Sequence, residues 1–287
     1  MSWVTIDQDK CTACGVCVER CACFTEKGGA IIAAADENSC NLCGHCVSLC
    51  PTGAIAHSKM NMDNFIELDE KNKIKTDDFF QFIRRRRSHR RFLDKPVPRD
   101  VLEKLVDVCR YAPTGSNVQN VEILILQDPQ KIKKLSDLTM ESFEKAHELL
   151  EQRAKALKEA GKELPDSMKY SLDVLRRRNQ RMISREPGRD MVFHKAPAVW
   201  IFHSPEATSA PKDNAVIAST TVALTAMTMG LESTYIGIFE MAASYHPIVK
   251  ELNLPAGHKI FSVLIMGYPG WTYYRTVDRK PVKVRFE

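Results

Sequence analysis

Residues 11–21 read CTACGVCVERC, and residues 40–51 read CNLCGHCVSLCP. Both stretches contain the spacing C-x2-C-x2-C-x3-C, and Pro51 directly follows the second one. Three thiolates at three-residue steps can surround one iron–sulfur cube, whereas the fourth cysteine points away from the other three. The repeated spacing therefore predicts a small N-terminal domain built around iron–sulfur chemistry.

Two other uses of cysteine fit the spacing less well. Structural zinc sites typically use paired C-x2–4-C knuckles and not a triple run with an outlier. Disulfides need an oxidising compartment, and the N-terminus MSWVTIDQDK has no apolar stretch typical of a secretory signal. Cys23 lies outside both runs and is predicted to be a buried spare thiol. His45 is predicted to be exposed or to lie beside the ligands.

The stretch of about residues 1–60 resembles bacterial-type ferredoxins, which carry single electrons. In their two-cluster pattern the fourth cysteine of each run ligates the other cluster, so the resemblance implies two [4Fe-4S] clusters with crossed ligands. One cluster would be held by Cys11, Cys14, Cys17 and Cys50, and the other by Cys21, Cys40, Cys43 and Cys46. Ala22, and not proline, follows Cys21. Cys23 therefore stays open as an alternative ligand, although only Cys21 has the x3 spacing.

The chain of 287 residues is long enough for this small domain and one larger core. Its net charge of +5, with 44% hydrophobic and 27% charged residues, is ordinary for a soluble protein. Because no run of about 18 apolar residues occurs, we expect no membrane-spanning segment and no membrane partner. The exposed iron–sulfur clusters lead us to expect a cytoplasmic location. The polar residues that follow Lys59 predict a linker over 61–78, between domains at 1–60 and 79–287.

Helices and strands alternate after this linker, which predicts an α+β or α/β body. The expected strands are 121–126, 198–203 and 259–268, and a charged helical insertion is expected over about 131–190. Asp78 and Gln81 predict the start of one helix. Asp213 and Gly230 predict the two caps of a buried helix between them.

Six arginines fall within residues 84–91, which read RRRRSHRR. Such a run is typical of a nucleic-acid patch or of a solvated helix end. Arginine also makes bidentate contacts with phosphate, and serine adds a hydroxyl donor. Downstream, residues 112–120 form a small polar loop, APTGSNVQN, which suits the edge of a planar heterocycle. We therefore favour a phosphate-bearing ligand and expect no nucleic-acid partner.

Several short segments, taken in order, resemble the nitroreductase family of flavoproteins. They are RRSHRRF at 86–92, YAPTGSN at 111–117, GLESTYIG at 230–237, MGYP at 266–269 and RKP at 279–281. The resemblance spans about residues 79–287 apart from the charged insertion. It implies an α+β sandwich in which helices flank a central, mainly antiparallel sheet.

The same resemblance implies FMN, held at the interface of a homodimer. The phosphate would be bound by Arg86, Ser88, Arg90 and Arg279, with Arg87 at the same corner. The ribityl chain and ring would be approached by Pro113, Thr114, Ser116 and Asn117. Backbone groups of Ile236 and Gly237 would lie near the reactive nitrogen edge of the ring.

The expected function is that of a nitroreductase-family flavin oxidoreductase. Electrons from an external low-potential donor would pass through the two clusters to FMN and then to a nitroaromatic, quinone, enone or similar acceptor. Two alternatives stay open. NAD(P)H could be the donor, with the clusters as exit or sensor, or the chain could be a non-enzymatic electron carrier or redox sensor.

The sequence singles out no catalytic residue, and Tyr235 and Tyr245 are the candidates considered as proton donors. No G-x-G-x-x-G or Walker A segment is present, so no Rossmann or P-loop nucleotide site is expected. The remaining histidines are predicted to be structural because no metal partner is evident in the sequence. They are His147, His194, His203, His246 and His258.

Overall fold

The computed structural model describes residues 3–33, 37–183 and 190–287. The chain forms two compact units. The first comprises Met1–Lys75 and Ser116–Val118, and the second comprises Thr76–Gly115 and Gln119–Glu287. The segment predicted as a linker, 61–78, contains two short 3₁₀ turns, Met62–Asn64 and Glu70–Asn72, and the start of a helix at Thr76. The predicted domain limits at 60 and 79 stay a prediction.

The first unit repeats one arrangement around its two cysteine runs. Its strands form two antiparallel pairs, β1 with β4 and β2 with β3, and each cysteine run leads into a five-residue helix. The elements are β1 (Val4–Ile6), α1 (Val16–Arg20), β2 (Phe24–Lys27), β3 (Ala30–Ala33), α2 (His45–Leu49) and β4 (Ile55–His57). The core is small and consists of Trp3, Val4, Cys23, Phe24, Ile31, Cys46 and Ile55.

The second unit is built on a four-stranded antiparallel sheet with the order β5-β6-β8-β7. This confirms the expected α+β class. The strands are β5 (Glu122–Leu126), β6 (Ala198–Pro205), β7 (Glu232–Tyr235) and β8 (His258–Gly267). The helices are α3 (Thr76–Arg85), α4 (Arg99–Val108), α5 (Pro129–Glu159), α6 (Asp166–Ile183), α7 (Pro211–Thr228), α8 (Gly237–Ala242) and α9 (His246–Leu252).

Helices cover both faces of this sheet. Alternate side chains of a strand point to opposite faces, so β6 supplies Trp200 and Phe202 to one core and Val199 and Ile201 to the other. Helices α4 and α7 pack in the first of these cores, and α5, α8 and α9 pack in the second. Because both faces are covered, β6 is buried from Ala198 to Ser204.

The structure corrects two helix starts expected from the sequence. Asp78 lies inside α3, which begins at Thr76, so it is not the cap of that helix. Helix α7 begins at Pro211 after Ala210, which has a left-handed backbone, and Asp213 lies in the first turn. Proline is well suited to the first helical positions because it has no N–H to leave unpaired, and this preference moved the start ahead of Asp213.

The charged insertion expected over 131–190 is helical as far as it is described. It consists of α5 and α6, separated near Gly161 and Pro165 as expected, and residues 184–189 lie outside the described part. No helix among the described residues is both long and apolar enough to cross a membrane.

Leu264 is fully buried at the centre of β8, in the core shared with α4 and α7. We expect Leu264→Ala to lower the free energy of unfolding of the second unit by about 2–5 kcal/mol, because it leaves a cavity. Leu149→Ala in α5 is the matched control, since Leu149 is 67% exposed, and should change stability by no more than about 0.5 kcal/mol. Denaturant unfolding followed by tryptophan fluorescence measures both. Equal losses would contradict the assigned core.

Candidate functional site

The two cysteine runs have the same backbone shape. Ala13 and Leu42 occupy equivalent positions and have positive φ angles of 52° and 56°. Gly15 and Gly44 follow with φ of 74° and 71° and precede α1 and α2. Left-handed residues at two positions of each run bend the chain tightly, so that consecutive thiols turn toward the same side.

One cavity of the first unit is lined by four of the predicted ligands, Cys11, Cys14, Cys17 and Cys50. Its other walls include Ile6, Ile31, Ala54 and Ile55. Four thiols in an apolar wall are the donor set that an iron–sulfur cluster requires. The residues present therefore fit one cluster with the crossed ligand set.

The other four cysteines are also neighbours. Burial, followed by the nearby thiols of Cys21, Cys43 and Cys40, raises the pKa of Cys46 to about 11. The pKa of Cys17 is also raised, mainly by burial. The thiols that add to this rise are those of Cys14 and Cys11. Cys46 thus has the three other thiols of its predicted set as neighbours, and Cys17 has two of its own, while the full crossed sets stay a prediction.

Cys23 is buried, as expected for a spare thiol. Burial, followed by a hydrogen bond and charge interaction with Cys21, raises its pKa to about 11. The assignment of Cys21, and not Cys23, as the ligand stays a prediction that rests on the x3 spacing.

Hydrogen bonds reach the sulfur atoms from both the backbone and side chains. The amide of Ala54 donates to Cys50 Sγ at 3.2 Å, and the amide of Leu42 donates to Cys40 Sγ at 3.4 Å. His57 Nε2 lies 3.7 Å from Cys40 Sγ. Burial opposes ionisation of Cys50, but hydrogen bonds from Thr52, Ala54 and Ile55 prevail and lower its pKa.

Hydrogen bonds to cluster sulfurs tune the reduction potential. His57 was not singled out in the sequence because it lies outside the cysteine spacing. His45 is exposed and contacts Arg20 through its Nδ1 atom at 2.6 Å, which agrees with the expectation that it is not a ligand.

In the second unit, the arginine segment is held by the ends of two strands. The amide of His89 donates to the carbonyl oxygen of Ser233 in β7 at 3.1 Å. The amide of Leu93 donates to the carbonyl of Tyr268, directly after β8, at 2.9 Å. The resemblance segments at 86–92, 230–237 and 266–269 therefore meet at one corner of the sheet, which we call the arginine corner.

Arg87 has an unused donor at this corner. Its Nη2 atom is buried and makes no hydrogen bond to any described residue, while Nη1 donates to the carbonyl of Arg86 at 3.3 Å. The guanidinium also faces the ring of Tyr273 at 5.9 Å. A buried donor without a partner is costly, and an anionic ligand would satisfy it. This feature fits the phosphate of FMN.

A histidine and a glutamate stand beside the arginines. His89 Nε2 lies 3.4 Å from Glu232 Oε2, and both side chains are largely buried. Burial and the charge of Arg87 lower the pKa of His89, whereas burial raises the pKa of Glu232 against the opposing charges of Arg85 and Arg86. The sequence did not assign a role to this pair. His89 and Glu232 are far apart in the chain, and the hydrogen bond between the arginine segment and β7 brings them together.

The predicted loop at 113–117 is divided between the two units. In the second unit, the amide of Gly115 donates to Asn214 Oδ1 at 2.9 Å, and Asn214 Nδ2 donates to the carbonyl of Ser209 at 2.8 Å. A Cβ atom on Gly115 would lie 2.6 Å from Ser209 Oγ, so a larger residue would require the Ser209 side chain to move. The sequence analysis missed Asn214, which is buried in α7.

Ser116 and Asn117 belong to the first unit, and both have positive φ angles. There the side-chain amide of Asn117 donates to the carbonyl oxygens of Asn41 and Leu42 at 2.8 and 3.0 Å. The expected contacts of Pro113, Thr114, Ser116 and Asn117 with FMN stay a prediction.

The remaining predicted residues lie elsewhere in the second unit. The amide of Ile236 donates to the carbonyl of Val263 at 2.9 Å, and Gly237 is the first residue of α8. Arg279 lies in the exposed C-terminal segment, and no hydrogen bond joins it to the described residues of the arginine corner. The hydroxyl of Tyr245 contacts Glu141 and Lys145, whereas that of Tyr235 contacts Thr220 at 2.8 Å.

Comparisons with known proteins agree with both parts of the chain. The model of the nitroreductase family matches residues 83–268, and the model of a 4Fe-4S binding domain matches residues 33–56. The first match covers more than half of the chain, and the chain belongs to the nitroreductase family. The expected family and fold are thus confirmed, and the second match supports at least one iron–sulfur cluster.

Similar individual proteins come from several organisms. The 4-nitrobenzoate reductase of Pseudomonas putida is 38% identical over 56 residues, which are 20% of this chain and 25% of that protein. The iodotyrosine deiodinase of Nematostella vectensis is 28% identical over 76 residues, which are 26% and 29% of the two chains. The chain therefore matches less than a third of the length of either curated relative.

Among solved structures, a nitroreductase with bound FMN from Bacteroides fragilis superposes with a TM-score of 0.54 at 18% identity. The superposition covers 73% of this chain and all of that one, and it shows that the fold is shared.

The grouping of the thiols predicts different effects for neighbouring cysteines. We expect Cys21→Ala to lower the iron content by about half, because one of two clusters loses a ligand. Cys23→Ala is the matched control and should keep the full iron and sulfide content. Iron and acid-labile sulfide are measured on anaerobically purified protein. Loss of iron in Cys23→Ala alone would reverse the assignment.

Proposed function

We propose that the protein is an FMN-dependent oxidoreductase that takes electrons through two [4Fe-4S] clusters and reduces a small organic acceptor. The observation that carries the proposal is the buried, unpartnered Nη2 of Arg87 at a corner that also contains Arg86, Ser88 and Arg90. Arginine is suited to phosphate because its planar donors match the phosphate oxygens. When bound, FMN would supply the exchange between one-electron donors and a two-electron acceptor.

Within this proposal the chain's residues have separate tasks. Arg86, Ser88 and Arg90, with Arg279 from the C-terminal segment, hold the phosphate, and Arg87 completes the corner. Pro113, Thr114, Ser116 and Asn117 line the ribityl chain and the ring. Ile236 and Gly237 present backbone groups to the reactive edge of the ring.

Electron entry is assigned to the cysteines. Cys11, Cys14, Cys17 and Cys50 line one cavity, and the thiols of Cys21, Cys40 and Cys43 act on Cys46, which supports two clusters. The 4Fe-4S match covers the cysteines of the second run. Clusters transfer one electron at a time, so the external donor would be a low-potential one-electron carrier such as a ferredoxin. Iron–sulfur clusters suit a reducing compartment, which supports a cytoplasmic location.

The acceptor class follows from the family and from the names of the relatives. A 4-nitrobenzoate reductase and an iodotyrosine deiodinase both act on substituted aromatic rings. We therefore propose nitroaromatics as the first class of acceptor to test, with quinones and enones as the next.

A homodimer is part of the proposal. The C-terminal segment exposes large apolar side chains, since Tyr274, Val282 and Phe286 are 87–90% accessible in the single chain. Exposed apolar residues of this density mark a protein interface. A second copy that covers this segment would also bring Arg279 to a flavin site.

Removal of the phosphate contacts should release FMN. We expect Arg86→Ala and Arg90→Ala each to weaken FMN binding at least about tenfold, because a charged hydrogen bond contributes about 1.5–3 kcal/mol. The control is Arg84→Ala, an exposed arginine of the same run. FMN per chain after gel filtration and titration of the apoprotein measure the effect. Full FMN content in all three variants would contradict the assignment and favour a non-enzymatic role.

The order of electron transfer has its own test. Under anaerobic conditions, reduced ferredoxin should bleach the flavin of the wild-type protein quickly and that of Cys43→Ala slowly, because this variant lacks a cluster ligand. Cys109→Ala, which alters a partly buried thiol packed beside the core of the second unit, should behave as the wild type. Rapid bleaching by NAD(P)H, with the clusters changing afterwards, would instead assign NAD(P)H as the donor.

A further inference from the structure

Three metal-binding side chains from three adjacent strands meet in the second unit. Glu122 is the first residue of β5, His203 lies in β6 and His258 is the first residue of β8. Glu122 is directly opposite His203 in the β5–β6 ladder, and His258 is opposite Pro205, two residues beyond His203. Residues that are opposite, or diagonal by two positions, lie on the same face of a sheet.

An irregularity in β8 is what brings the two histidines to one face. Phe202 is opposite Ser262, but His203 is opposite Ile260, so Phe261 is an extra residue in β8. In a regular ladder His203 would be opposite Phe261, and His258 would then point to the other face. Bulges of this kind commonly redirect a side chain beside a functional site.

The donor atoms are close together and sheltered. The Nδ1 atoms of His203 and His258 are 2.9 Å apart, and the other ring nitrogen of His258, Nε2, is 3.9 Å from Glu122 Oε1. One ligand atom from each of the three residues lies within 4.8 Å of the other two. The side chain of His258 is 8% exposed and His203 is 4% exposed, whereas the side chain of Glu122 is 56% exposed and faces solvent.

The separation of the two Nδ1 atoms is that of a hydrogen bond, and it is also close to the separation in a shared metal site. Two nitrogens bound to one zinc ion at about 2.0–2.1 Å, at a tetrahedral angle, are about 3.3 Å apart. The two Nδ1 atoms reach this separation with a shift of a few tenths of an ångström. Among the described residues, this is the one group of three histidine, cysteine or acidic side chains whose ligand atoms meet this closely.

We propose that Glu122, His203 and His258 bind a divalent first-row transition metal ion. Two imidazoles and one carboxylate are the ligand set typical of zinc and similar ions, and imidazole disfavours calcium and magnesium. The exposed position of Glu122 gives the ion a route from solvent and leaves a fourth coordination position for water. The ion would join β5, β6 and β8 where these strands meet, apart from the residues assigned to FMN and to the clusters.

Burial lowers the pKa of His203, the charge of Glu122 opposes this shift and His258 adds to it. A neutral imidazole is the form that binds metal, so the site needs no proton release from this residue at neutral pH.

Zinc binding to the full-length protein, with its clusters and flavin, tests the proposal. The protein is dialysed against buffered Zn²⁺, and zinc and iron are counted per chain in the same sample. The wild type should retain one zinc ion more than His258→Gln and Glu122→Gln, in which one ligand is replaced. His246→Gln, a change of an exposed histidine in α9, should match the wild type. Any zinc that enters the cysteine sites is the same in all variants and cancels in the comparison.

Thermal unfolding provides the second measurement. Zinc should raise the Tm of the wild type and of His246→Gln and leave that of His258→Gln and Glu122→Gln unchanged, because only the folded site binds the ion. Because Glu122 is exposed, its variant keeps the test valid even if a buried histidine variant folds poorly. Equal zinc content in the wild type and both ligand variants would overturn the proposal and leave His203 and His258 as a hydrogen-bonded pair.

Discussion

The antiparallel pairing of β6 with β8 is the constraint on which the second unit depends. These strands are paired from Ala198–Met266 to Pro205–His258, and their alternating side chains supply both cores of the sandwich. At one end of the pair, β8 leads into Tyr268 and Pro269, which bind the segment that follows the arginines. At the other end lie the two histidines. The register of this pair, including its shift at Phe261, therefore determines both the packing and the positions of the side chains available for chemistry.

The first unit is held together differently. Its core has seven members, two of which are cysteines, and most of its other cysteines are only partly buried around that core. A unit of this size buries too little apolar surface to be stable by packing alone and commonly relies on metal centres or cross-links. Ala13, Gly15, Leu42 and Gly44 have left-handed backbones, which bend each cysteine run tightly. Cysteines that did not bind a common ligand would not need this tight bend. The same backbone geometry thus sets both the positions of the thiols and the fold of this unit.

The sequence predicted features that depend on local spacing and missed those that depend on register. The cysteine runs, the alternation of elements and the positions of β5, β6 and β8 follow from periodicity, and the structure agrees to within about two residues. Asp213 was wrongly predicted as a cap because Pro211 competes for the same turn. His203 and His258 are 55 residues apart in the chain, and only a bulge at Phe261 gives them a common face. No local pattern encodes that bulge.

The arginine corner combines partly buried arginines with a partly buried acid. Glu232 offsets part of the charge of Arg85 and Arg86, while burial raises the pKa of its carboxyl group. His89 contributes little charge at neutral pH, because burial and Arg87 lower its pKa. The corner therefore retains a net positive charge and an unpaired donor on Arg87. An uncompensated buried charge destabilises a protein until a counter-charge binds. A phosphate bound at this corner would satisfy both the charge and the donor, so the arrangement that costs stability without a ligand would strengthen phosphate binding.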